Sequence, residues 1–150
     1  MGFSESARII GVDLGLKRVG VAISDEMRLM AHPLCVLPYE GMDKLARALS
    51  DLADVHGATS FVVGLPKNMD GSVGESGRRS QKFAKKLERA SSRPVFLSDE
   101  RLTTSQAEKE MIALGRSRRQ RKSAIDEAAA VLILENYLRS PAATFNSEGQ

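Results

Sequence analysis

The chain has no tryptophan, a single cysteine and only two histidines. One cysteine, Cys35, excludes an internal disulfide and any cysteine-based metal site. His32 and His56 form no cluster that would select a softer metal. No long hydrophobic run occurs either: the longest fully apolar stretch, Ala128 to Leu134, is far short of a membrane span, so no membrane partner is expected. The first residues, "MGFSESARIIG", show no basic start, apolar core and small-residue cleavage site. No signal peptide is therefore expected, and a cytoplasmic location is the simple reading. "MGFSES" fits the loose myristoylation pattern, but so short a motif matches often by chance. Repeats, linkers and low-complexity segments are also missing from the sequence.

What is present is ordinary for a globular domain: 150 residues, 42% hydrophobic and 27% charged. That length suits one domain with a real core, here residues 1–150 with short flexible ends at about 1–7 and 140–150. Residues 8 to 14 and 19 to 25 are β-branched runs separated by a short turn, which predicts a hairpin. "LMAHPLCVLP", 29 to 38, supplies a third strand that Pro33 and Pro38 confine to an edge. From Met42 the period changes: Leu45, Leu49 and Leu52 mark an amphipathic helix that Gly57 ends. "TSFVVGLP", 59 to 66, reads as a buried strand, and "KNMDGSVGES", 67 to 76, as a loop. A helix over about 77 to 90, a strand at 94 to 98 and a helix opened by Ser105 and Glu108 as a capping box follow. The last helix starts near Ser123, apolar on nearly every side, and Pro141 stops it. The order β-β-β-α-β-α-β-α-α predicts one mixed α/β domain, an antiparallel hairpin leading into parallel strands.

Net charge is only +3, but the cations cluster. "GRSRRQRKS", 115 to 123, carries Arg116, Arg118, Arg119, Arg121 and Lys122 with no acid, and "GRRSQKFAKK" at 77 to 86 is basic too. Such clusters suit a polyanion such as nucleic acid, and a solvated loop and helix face would explain them equally.

Three acids stand at special places. Asp13 closes the first strand; Asp99 and Glu100 close the last one; Asp126 lies in the first turn of the final helix. Ligands in open α/β sheets gather beyond the carboxyl ends of the strands, so these acids are candidates for one site. Converging carboxylates repel one another, and a hard cation, Mg²⁺ or Mn²⁺, resolves the conflict. Two such ions roughly 3.5–4 Å apart can activate a water and stabilise the leaving oxygen of a phosphodiester. Each acid also has a local explanation: a turn former at Asp13, a helix cap at Asp99 or Glu100, and the helix macrodipole at Asp126.

"IGVDLGLKRVGVAISD", "VVGLPKNMDGSVGESG", "PVFLSDERLTT" and "SAIDEAAAVLILENYL" together resemble the YqgF/RuvX family. Its members are Holliday junction resolvase-like proteins, also described as pre-16S rRNA nucleases. The resemblance covers about residues 8 to 139, with the four motifs in the family's order. It implies an RNase H-like fold, a five-stranded mixed sheet flanked by helices. It places the catalytic and metal-binding acids on Asp13, Glu100 and Asp126, with Asp99 as a further metal candidate. Gly15, Lys17 and Arg18 in the first turn, Gly64 to Gly71 in the loop, and Arg101 match its other hallmarks. Lys17, Arg18 and Arg101 could hold phosphates, Lys67 and Asn68 could border the substrate groove, and Gly15 would keep a Cβ away from the metal site. Arg118, Arg119, Arg121 and Lys122 are further nucleic-acid candidates in a run denser in arginine than the family pattern. Glu127 follows Asp126 where an uncharged polar residue is more usual, and is expected to face solvent.

The function these features imply is a Mg²⁺- or Mn²⁺-dependent hydrolase cutting phosphodiester bonds of structured RNA, at the 5′ end of the 16S rRNA precursor in ribosome biogenesis. Ribosomal precursor particles are the implied partners. One alternative is a Holliday junction resolvase acting on DNA, which usually works as a symmetric dimer; the sequence leaves monomer or homodimer open. A second is a non-catalytic nucleic-acid-binding assembly factor. "IIGVDLGLKRVG" also resembles the first phosphate motif of actin-like ATPases, whose duplicated domain 150 residues do not provide.

Overall fold

The apolar runs at the start of the chain pair as the sequence predicts. In the computed structural model, which describes residues 8–99 and 118–140 (side chains of the second segment from Ile125), β1 (Arg8–Leu14) and β2 (Arg18–Ser24) form an antiparallel hairpin. β3 (Ala31–Pro38) adds to β2 as an edge strand, where a proline's missing N–H costs least. α1 (Met42–His56) ends at Gly57 in the left-handed conformation, whose N–H is donated to the Ala53 carbonyl. β4 (Ala58–Leu65) then pairs parallel to β1, α2 (Glu75–Ser91) follows, and β5 (Val95–Asp99) pairs parallel to β4. The sheet order is β3-β2-β1-β4-β5, so the strand carrying Asp13 is the central one.

The last described element, α3 (Arg118–Leu138), begins at Arg118 rather than at Ser123. Arginine, lysine and glutamine are strong helix formers, so the basic run extends the helix and Ser123 does not cap it. Asp126 is therefore inside the helix, more than two turns from its start at about 3.6 residues per turn. The macrodipole falls off within the first turn, so it does not account for Asp126. The helix expected after Ser105, and the flexible ends expected at about 1–7 and 140–150 apart from Ser140, lie outside the described residues.

Alternation along the strands divides the core in two. On one face Ile10, Val12, Val21, Phe61 and Val63 meet Leu45 and Leu49 of α1 and Phe83 and Leu87 of α2. On the other, Ile9, Ala22 and Val62 meet Ala130, Ile133 and Leu134 of α3, with Tyr137 stacked on Phe96 at 5.8 Å. The helix approaches so closely that two strand positions admit no side chain. A Cβ on Gly20 would lie 1.9 Å from the Asp126 carbonyl oxygen, and one on Gly11 would lie 2.8 Å from Leu134 Cβ.

At the opposite end of the hairpin, Asp25 holds the β2–β3 turn. Its Oδ1 accepts the N–H groups of Leu29 (2.7 Å) and Met30 (3.0 Å). The Met30 N–H is the main cause that keeps the Asp25 carboxyl below its ordinary value of 3.8.

Two outcomes follow from these contacts. Gly20→Ala destabilises the protein by about 1–3 kcal/mol or more in urea unfolding, because neither the strand nor the helix backbone can give way. Because its folded pKa is depressed, ionised Asp25 adds stability above pH 3.8 that is lost as pH falls through the folded value. The melting-temperature gap between wild type and Asp25→Ala is therefore wide at pH 7 and narrower at pH 3.

Candidate active site

Asp13 stands opposite Gly20, near the carboxyl end of the central strand β1. Strand alternation puts it with Ile9 and Gly11 on the α3 face, half-buried. Gly20 in turn seats the Asp126 backbone. The two acids, remote in sequence, are thus brought to one place by a strand pair and a helix crossing. Arg18, two residues from Gly20 on the same face, closes the group: its Nε donates to Asp126 Oδ2 at 2.7 Å.

The β1–β2 turn beside this group is held from the other side of the sheet. Arg79 of α2 donates from Nη2 to the Gly15 carbonyl at 2.9 Å and from Nη1 to the Leu14 carbonyl at 3.4 Å. Its guanidinium also lies 4.6 Å from the centre of the Tyr39 ring, and the Tyr39 N–H is donated to the Lys17 carbonyl at 2.9 Å. A Cβ on Gly15 would lie 2.2 Å from the Arg18 carbonyl oxygen. Closure of the turn itself therefore requires Gly15. Lys17 is exposed at the turn's tip.

The other predicted residues divide. Asp99 is level with Leu65 in the parallel pair, which puts it on the α1–α2 face, away from Asp13. Its Oδ2 lies 3.7 Å from Lys67 Nζ, so the two form a pair of their own. Asn68 is occupied in its loop: its Nδ2 donates to Ser72 Oγ at 2.8 Å, and Asp70 Oδ1 accepts the Ser72 N–H and hydroxyl. Glu127 does not face open solvent. It is half-buried, and its charge acts on Cys35 of β3, whose thiol is pushed up first by burial and then by Glu127. Glu100 and Arg101 lie outside the described residues. Arg118, Arg119, Arg121 and Lys122 fall on the opening turns of α3. The sequence reading missed Arg79, which it placed in a basic cluster; no local pattern links an α2 arginine to a turn sixty-odd positions earlier.

The donor set suits a hard cation. Asp13 and Asp126 offer only carboxylate oxygens, both set by backbone positions. Among the described residues no group of three His, Cys, Asp or Glu meets, so a third acid would have to come from elsewhere.

This mixed five-stranded sheet, flanked by helices and with acids at its carboxyl edge, is the RNase H-like fold of resolvases. Thermus thermophilus RuvC, solved in complex with a Holliday junction substrate, superposes with a TM-score of 0.57 at 11% identity, covering 94% of this chain and 97% of that one. Fowlpox virus resolvase, solved with Holliday junction DNA, gives 0.55 at 10% identity, covering 89% and 99%. The family model described as "RuvX: Holliday junction resolvase" matches residues 7–140, and the chain belongs to that family. Relatives named "Putative pre-16S rRNA nuclease" are 49% identical over 136 residues in Bacillus subtilis and 47% identical over 135 residues in Bacillus pumilus. Each comparison spans 89% of this chain and 98% of the relative. Both names belong to nucleases, hydrolases of phosphodiester bonds.

The turn anchorage has a measurable consequence. Arg79→Met costs about 1.5–3 kcal/mol in urea unfolding, the range for hydrogen bonds made by a charged group. It also raises amide hydrogen exchange across residues 14–19 ahead of the rest of the sheet.

Proposed function

We propose that the protein is a divalent-metal-dependent nuclease that trims the 5′ end of pre-16S rRNA. The observation that carries the reading is the seating of Asp126 on Gly20, directly across from Asp13. A helix that merely covered the sheet would have no need to present a carboxylate there. The substrate comes from the names of the relatives.

Asp13 and Asp126 would hold Mg²⁺ or Mn²⁺. Glu100, outside the described residues, is assigned as the third acid from the family resemblance. When bound, the cation supplies positive charge for the scissile phosphate and lowers the pKa of an attacking water. The chain's own part is positioning. The strand end fixes Asp13, the close helix contact fixes Asp126, and Arg79 stiffens the turn from which Lys17 reaches a substrate phosphate. Lys67 and Arg101 supply further phosphate contacts in this reading, and Asn68 shapes the loop bordering the groove.

The basic run supports a polyanionic partner on physical grounds. Arg118, Arg119, Arg121 and Lys122 occupy the opening of α3, the end at which a helix macrodipole disfavours cations. A nucleic-acid phosphate there interacts favourably with both the dipole and the side-chain charge. No described helix is long and apolar enough to cross a membrane, and we assign the protein to the cytoplasm with ribosomal precursor particles.

Purified protein is expected to cut a 16S-precursor leader RNA with Mg²⁺ or Mn²⁺ and not with EDTA. Asp13→Asn and Asp126→Asn lower the rate by at least about 100-fold while RNA binding stays equal or tightens, since one negative charge near phosphate is gone. Normal cleavage by Asp13→Asn overturns the site assignment. Cutting of a four-way DNA junction alone assigns the protein to recombination. Salt-sensitive RNA binding without cleavage of either makes it an assembly factor.

A further inference from the structure

Arg18 presents a conflict. As a phosphate-binding cation it should point at substrate, yet its guanidinium is bound to a carboxylate assigned to the metal. Gly20 and Arg18 lie on one face of β2, and Asp13 stands opposite Gly20. Arg18 is thus diagonal to Asp13 across the strand pair, within reach for a long side chain at roughly 7–8 Å. Its Nε is 2.7 Å from Asp126 Oδ2, and the Asp126 side chain retains only 20% of its exposure. A positive charge therefore sits beside one site acid, on a strand position diagonal to the other.

We propose that Arg18 is the stand-in cation of the metal-free site, exchanged when the metal binds. Resting on the nuclease reading above, this assigns Arg18 two successive partners. Without metal it neutralises Asp126 and keeps two like charges from facing each other across Gly20. With metal, the carboxylate is taken over, and like-charge repulsion turns the guanidinium outward. The Arg18 side chain is 44% exposed, so the route to solvent is open. It then joins Lys17 as a phosphate contact, with the planar, bidentate geometry that lysine lacks. Metal binding and phosphate binding are thereby coupled through one side chain, and the coupling must be reciprocal. A partly exposed ion pair is weak enough for such an exchange; a fully buried one would resist it.

The test is Mn²⁺ affinity, read by electron paramagnetic resonance of free Mn²⁺ with no substrate present. Arg18→Gln should bind Mn²⁺ about three- to ten-fold more tightly than wild type. Lys17→Gln, which removes the same charge from the adjacent exposed position, should change it less than two-fold. Equal tightening in both variants would reduce the effect to general field strength and overturn the exchange. Unchanged or weaker binding in Arg18→Gln would make Arg18 a support for the metal-bound carboxylate and overturn it as well. In a second arm, anisotropy of a labelled oligonucleotide is measured with and without Ca²⁺, gels verifying that the strand stays intact. Wild type should gain affinity on adding Ca²⁺, and Arg18→Gln should lose most of that gain; an equal gain in both overturns the coupling. Wild type that binds no Mn²⁺ at all removes the metal reading itself, an outcome distinct from tight Mn²⁺ binding that ignores Arg18.

Discussion

Main-chain contact between the last helix and the first two strands is the constraint on which the rest depends. At Gly20 the backbone of α3 rests on the backbone of β2, and at Gly11 the Leu134 side chain rests on β1. Side-chain packing alone spaces a helix from a sheet by the bulk of its residues and leaves some freedom to slide. Here a shift along the strands would drive the helix onto Arg18 or Ala22, the neighbours of Gly20 on the same face, where Cβ atoms exist. Asp126 therefore inherits its position from the backbone contact at Gly20, and Ala130 continues the close approach at Gly11.

The same economy governs the charged groups around the site. Arg79 is spent on main-chain carbonyls, Lys67 faces Asp99, and Arg18 faces Asp126. Cations at the carboxyl edge of the sheet are thus partly internal structure, and only some of the local positive charge is offered outward. Lys17 is exposed on a turn whose carbonyls are held from the far side of the sheet.

Much of the architecture was legible because it rests on local rules. The β-branched runs, the Leu45–Leu49–Leu52 stripe, the proline-bounded edge strand and Gly57 each declare their element within a few residues, and all agree with the structure. The start of α3 was misread because Ser123 resembles a cap while the arginines before it are better helix formers than loop residues. Asp13 and Asp126 could be nominated from position and resemblance, but their shared face could not be read without the pairing of Asp13 with Gly20. Asp99 shows the limit in the other direction: nearness in sequence to Glu100 suggested a common site, whereas strand alternation sends it to the opposite face, towards Lys67. Arg79 was invisible for a different reason. Its partners are carbonyl oxygens, which every residue has and no sequence advertises.

Placing one acid on the central strand and another on α3 also sets when the site comes into being. A chain made from its N-terminus forms the β1–β2 hairpin early, but β1 gains its inner neighbour only after β4 has emerged. Asp126 arrives after every strand of the sheet, and it has no seat until Gly20 lies within the finished hairpin. A nascent fragment that ends before α3 therefore carries Asp13 without the acid proposed to share its site. On the nuclease reading, cutting power waits for the last helix, and the order of translation decides when the enzyme switches on.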